Sequence, residues 1–114
     1  MVREVKKSMK KYTLGNSKEE ALNLLPNGRV KKVKLGEKEI AVLRLGEEVF
    51  GFEPFCPHRG ASLLNAYPNS SGELICPLHE YRFNLKSGRP MAGGCRDLET
   101  YSCILGEGGL EIQI

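Results

Sequence analysis

The chain holds only two histidines, His58 and His79, and each shares a short box with a cysteine: Cys56-Pro57-His58 and Cys76-Pro77-Leu78-His79, separated by the spacer 59–75. These boxes constrain the fold more than any other feature. They read as loops stiffened by Pro57 and Pro77, and whatever sheet the rest of the chain builds must deliver both to one tip. A thiolate and an imidazole are soft or borderline metal ligands, so a metal centre held by Cys56, His58, Cys76 and His79 is the first reading.

The remainder predicts short strands. Ser17 and Glu20 have capping-box spacing, and Ala21, Leu22, Leu24 and Leu25 follow, which predicts one short helix ending before Pro26-Asn27-Gly28. From Val30 the apolar period becomes two. Val30 to Leu35, a turn at Gly36-Glu37-Lys38, and Ile40, Val42 and Leu43 form a hairpin. A turn at Gly46-Glu47-Glu48 leads into Val49 to Phe52, and Pro54 ends that strand just before the first box. The stretch Tyr67 to Gly72 is turn-rich, and Leu74-Ile75 delivers Cys76. Tyr81, Phe83 and Leu85 alternate, closed by Ser87-Gly88. After Gly93-Gly94, the alternations Tyr101, Cys103, Leu105 and Leu110, Ile112, Ile114 flank a glycine-rich turn and predict a C-terminal hairpin.

The expected fold class is all-β, an antiparallel sandwich or partial barrel with one short helix, as a single domain over 1–114. Residues 1–11 form a basic extension, or an edge strand if Tyr12, Thr13 and Leu14 pair; 12–53 and 87–114 build the base sheets; 54–86 is an inserted subdomain carrying both boxes.

Structural zinc sites usually pair like ligands locally, Cys with Cys and His with His. Here each loop mixes them, so the thiolates can meet at one metal and the imidazoles at another, which suits a two-iron centre bridged by sulfide. The segments Cys56-Pro57-His58-Arg59-Gly60-Ala61-Ser62-Leu63 and Cys76-Pro77-Leu78-His79 resemble the Rieske iron-sulfur family, specifically its small ferredoxins, and the resemblance extends over about residues 26–114. It implies one Rieske-type 2Fe-2S cluster, with Cys56 and Cys76 on one iron and His58 and His79 on the other. It also implies one-electron transfer and redox partner proteins: a reductase as donor, an oxygenase or another reductase as acceptor.

The departures from the family are informative. The extra cysteines that form a disulfide in the high-potential Rieske proteins correspond here to Ala61 and Leu78, and the hydroxyl donors to Tyr81 and Phe83. Fewer hydrogen bonds to sulfur stabilise the reduced state less, so the expected potential lies nearer about −150 mV than +300 mV. The family's proline-containing third loop is replaced by Gly93-Gly94-Cys95, with Pro90 slightly earlier. Cys95 reads as a buried or half-buried thiol and Cys103 as a packing residue. Gly60 fits a turn with positive φ. Arg59, Glu80, Leu63 and Leu78 are candidates for a docking patch around the tip.

Composition excludes other classes. The net charge of +3 comes mainly from Arg3, Lys6, Lys7, Lys10 and Lys11 and from Lys31, Lys32 and Lys34, without the aromatic-rich basic face that nucleic acid would want. No apolar run suits a membrane span. Four cysteines, two of them in the boxes, do not make a disulfide framework, so a reducing, cytoplasmic setting and a monomer when free are expected. With both histidines in the boxes, none remains for the mononuclear iron of an oxygenase, so the chain is expected not to be an enzyme by itself. A small electron-transfer subunit of a larger reductase, such as nitrite reductase, is the alternative carrier role, and a zinc-stabilised interaction module is the alternative metal role.

Overall fold

The computed structural model describes residues 10–58, 60–78, 80–91 and 95–114. Its elements are β1 (Lys11–Leu14), α1 (Lys18–Leu24), β2 (Val30–Leu35), β3 (Lys38–Leu45), β4 (Glu48–Phe52), β5 (Tyr67–Pro68), β6 (Glu73–Cys76), β7 (Tyr81–Asn84), β8 (Thr100–Gly106) and β9 (Gly109–Gln113). Six strands form one antiparallel sheet in the order β1-β9-β8-β4-β3-β2, and β5-β6-β7 form a second. The protein is therefore mostly β with one short helix, as the periodicity predicts.

The helix begins as its capping residues require. The Ser17 hydroxyl accepts from the Glu20 N–H at 3.1 Å, but the Glu20 carboxylate accepts from the Asn16 N–H rather than reaching back to Ser17. Its other end is closed from outside the helix: Arg44, on β3, donates to the carbonyls of Leu22 and Leu25, both at 3.1 Å. The Leu22 carbonyl also accepts from the Leu25 N–H at 3.2 Å, so Arg44 adds a second donor at the helix terminus, where carbonyls run short of intrahelical partners, and one side chain fastens α1 to the large sheet.

Strand β3 explains why two apolar layers exist. Ile40, Ala41, Val42 and Leu43 are all fully buried, and successive residues of a strand point to opposite faces. Ile40 and Val42 join Ala21, Leu25, Leu110 and Ile112 under the helix. Ala41 and Leu43 join Phe52, Cys56, Leu63, Leu74, Cys76, Phe83, Leu85 and Leu98 on the other side. The second layer ties the small sheet to the large one.

Two sequence expectations change. Lys11, placed in the basic extension, is instead the first residue of β1 and pairs with Gln113, and Lys10 exchanges backbone hydrogen bonds with Ile114; the edge-strand reading of Tyr12, Thr13 and Leu14 holds. Tyr67–Pro68, read as part of a turn, pairs with Ile75 and Leu74 as the edge of the small sheet, a position where proline's missing N–H costs no ladder bond. Residues 1–9 lie outside the described residues.

Candidate metal centre

The first box is a tight loop hung from the end of β4. The Cys56 N–H donates to the Ala61 carbonyl at 2.7 Å, the Gly60 N–H to the Cys56 carbonyl at 2.6 Å, and the Leu63 N–H to the Pro54 carbonyl at 2.8 Å. Gly60 takes φ +76°, the left-handed conformation its sequence position suggests. The loop turns Cys56 inward, to 1% exposure, and carries Leu63 into the core with it. Leu63 is thus a packing residue, and its expected place in an exposed docking patch is corrected. Among the other three residues named for that patch, Leu78 and Glu80 are exposed, while Arg59 lies outside the described residues.

The second box caps the β6–β7 hairpin, with Cys76 opposite Tyr81 in register. Cys76 is fully buried. Burial pushes its thiol up from the ordinary range; the Leu78 N–H, directed at the sulfur, opposes this, and the neighbouring Cys56 thiol reinforces it. The two box cysteines are therefore neighbours in one core layer, and they form no disulfide. His79, predicted as the fourth ligand, lies outside the described residues.

His58 stands at the rim of this pair. Its Nδ1 is shielded from solvent, and its ring stacks on Tyr81 with centroids 4.1 Å apart and planes 5° from parallel. Tyr81 in turn meets the fully buried Phe83 at 5.4 Å and 55°. The sequence marks Tyr81 only as a replacement for a hydroxyl donor. In the fold its ring covers a candidate ligand, and its hydroxyl is hydrogen-bonded to the Cys95 thiol. Cys95 is half-buried against the same core layer, as expected of a packing thiol.

The segment leading to Cys95 runs beside β7: Pro90 bridges to Phe83, and the Met91 N–H donates to the Arg82 carbonyl at 3.0 Å. Gly93 and Gly94 lie outside the described residues. Phe55 and Met91, which no periodicity singles out, are exposed to 57% and 50% and join Leu78 as large apolar side chains left in solvent.

The donor chemistry fits a cluster with two thiolates. The buried Cys76 thiol resists losing its proton unless metal charge replaces it. Cys56 and Cys76 lie together in one core layer, and His58, two residues after Cys56, is half-buried beside Tyr81, the register partner of Cys76. The residues present fit a two-iron centre.

Comparison with known proteins points the same way. The family model for the Rieske [2Fe-2S] domain matches residues 16–102. The 3-phenylpropionate/cinnamic acid dioxygenase ferredoxin subunit of Photorhabdus laumondii is 30% identical over 91 residues, covering 79% of this chain and 86% of that protein. In fold, the chain is similar to the ferredoxin of carbazole 1,9a-dioxygenase from Nocardioides aromaticivorans IC177, with TM-score 0.72 and 23% identity over 90% of this chain and 95% of that one. It is also similar to the proposed small subunit of an NADH-dependent nitrite reductase from Mycobacterium tuberculosis, with TM-score 0.75 and 18% identity over 95% and 97% of the two chains.

Proposed function

Because the chain belongs to the Rieske [2Fe-2S] domain family, and with it carries one Rieske-type two-iron cluster, we propose that it is a ferredoxin, passing single electrons from a reductase to an oxygenase or other acceptor. Cys56 and Cys76 hold one iron, and His58 and His79 the other. The observation that carries the assignment is the adjacency of the buried, unbridged thiols of Cys56 and Cys76 in one core layer. The name of the Photorhabdus relative, a dioxygenase ferredoxin subunit, supports the acceptor class.

The cluster supplies the redox chemistry: two ferric ions, two sulfides and two thiolates sum to about zero charge, against about minus two for an all-thiolate cluster, so an electron is accepted more readily. The chain supplies the rest. Core packing around Cys56 and Cys76 excludes water from the thiolate side, and the Leu78 N–H stabilises charge on the Cys76 sulfur. His58 lies at the rim, so electrons leave on the imidazole side. Redox partners dock there, against Phe55, Leu78 and Met91, in a small and transient contact.

The protein works in the cytoplasm as a monomeric single domain, with 54–86 as its cluster-binding subdomain, and performs no oxygen chemistry itself, since its two histidines are spent on the cluster. No helix among the described residues is long and apolar enough to cross a membrane.

Anaerobic refolding of the denatured chain in the presence of iron and sulfide is the test. A red-brown protein with a rhombic EPR signal on reduction, lost in Cys56→Ser and in His79→Ala, supports the assignment; a colourless, EPR-silent chain refutes it. The fold likeness to a proposed nitrite reductase small subunit favours a second reading, a fixed subunit of a larger reductase. Stable co-purification with a large catalytic chain selects it over the free carrier.

A further inference from the structure

The imidazole of a histidine is joined to its backbone through a torsion with broad, roughly two-fold preference, so the backbone alone does not set its plane. A neighbour has to. In this chain the neighbour of His58 is an aromatic ring lying flat on it: Tyr81, at 4.1 Å and 5°.

Tyr81 is itself held at three points. Its backbone is fixed in the β6–β7 ladder opposite Cys76, its ring edge meets Phe83 in the core, and its hydroxyl is bonded to Cys95, beyond β7. A ring fastened at both ends cannot swing away when the surface is disturbed. It links the segment containing Cys95 to the first box, a connection that no backbone hydrogen bond makes among the described residues.

We infer that Tyr81 is a positioning residue for His58, fixing the rotation of its imidazole and closing one face of it to water. The inference rests on the ligand role proposed for His58. Two consequences follow for a metal centre held there. A single imidazole orientation gives a single electronic environment, and hence sharp lines in the reduced EPR spectrum. Exclusion of water from one face withholds solvent dipoles that would stabilise the added negative charge, which lowers the potential.

The test compares reconstituted wild type, Tyr81→Ala, Tyr81→Leu and Tyr81→Phe by reduced-state EPR and by voltammetry. Tyr81→Ala is expected to broaden the EPR lines and shift the midpoint upward. Tyr81→Leu keeps bulk without a flat ring and is expected to do the same, so the reading survives if the alanine variant fails to fold. Tyr81→Phe keeps the stacked ring and is expected to restore both properties. If alanine and leucine variants that carry the cluster match wild type in line width and midpoint, the positioning role is overturned. If wild type takes up no cluster, the carrier reading falls and this inference with it.

Discussion

Glu53 and Arg96 meet in a two-point ion pair, with Nη1 at 2.7 Å from Oε2 and Nη2 at 2.9 Å from Oε1. Glu53 precedes the first box and Arg96 follows Cys95, so the pair clamps the two segments that flank the candidate centre. The Glu99 N–H also donates to Glu53 at 2.8 Å. Burial pushes the Glu53 carboxyl up, but Arg96, the Glu99 N–H and the more distant Lys38 together outweigh it and hold the group below the usual range. A lowered folded value means the stabilisation is complete above the unfolded-state value of about 4.3 and is lost as pH falls through the folded one. Urea unfolding of wild type and Glu53→Gln should show a gap at neutral pH that closes in acid. A gap independent of pH would count against the clamp.

Cys103 is expected to set an alkaline limit. Its sulfur packs so close to β4 that a Cβ at Gly51 would stand 2.9 Å from it, and burial pushes its thiol up to about 12. A raised folded value leaves stability intact below the unfolded-state value of 9.0 and erodes it as pH climbs toward the folded one. Between those limits wild type should lose stability relative to Cys103→Ala, and iodoacetamide should label Cys103 far faster in urea than in buffer. Equal labelling rates would contradict this.

Two glycines with nearly the same backbone should respond very differently to alanine. Gly28 has φ +81° with nothing within 4 Å of an added Cβ, so Gly28→Ala should cost only the left-handed backbone penalty, about 1 kcal/mol. Gly88 has φ +79°, and a Cβ there would collide with the Leu98 carbonyl oxygen, whose residue also donates its N–H to Gly88 at 2.7 Å. Gly88→Ala should cost about 3 kcal/mol or more. Thermal melts of the two variants decide whether the Leu98 contact matters.

Glu80 is the one non-glycine with positive φ among the described residues, at 54°. Glu80→Gly should relieve that strain and stabilise the fold by about 1 kcal/mol, or about 4 °C in Tm. A lower Tm would show that the Glu80 side chain contributes more than its backbone costs.

The midpoint potential should lie near the low end of the Rieske range, about −150 mV. Phe83 lies fully buried and offers no hydroxyl, so it supplies no hydrogen bond that would raise the potential. Voltammetry checks this; a midpoint well above zero would refute it.

Much of this architecture was legible because its signals are local. The Ser17 cap, the lysine-lined hairpin ending at Leu43 and the alternation from Tyr101 to Ile114 each lie within a few residues. Other features escaped because their causes are remote. Tyr67–Pro68 resembles a turn until β6 comes alongside. A single Leu63 in a loop has no period to reveal that the loop folds inward. The stack of Tyr81 on His58 depends on two boxes brought together by a second sheet, and the left-handed Glu80 has no residue-type signature. Of the candidate site, Cys56, His58 and Cys76 can be followed into the fold, whereas His79 remains an assignment from spacing.

Cys56 and Cys76 sit in the same apolar layer as Leu43, Phe52, Leu74 and Phe83. With the ligand roles proposed for them, maturation and folding become one event. A chain that has already consolidated this layer has closed the route to its own cysteines, so iron and sulfide must be delivered during a limited interval after synthesis. In an iron-starved cell the chains that miss that interval are left with unfilled cysteines in the middle of their packing. They are expected to open more often and to be cleared first by proteolysis, so the abundance of this protein should follow iron supply without any change in transcription.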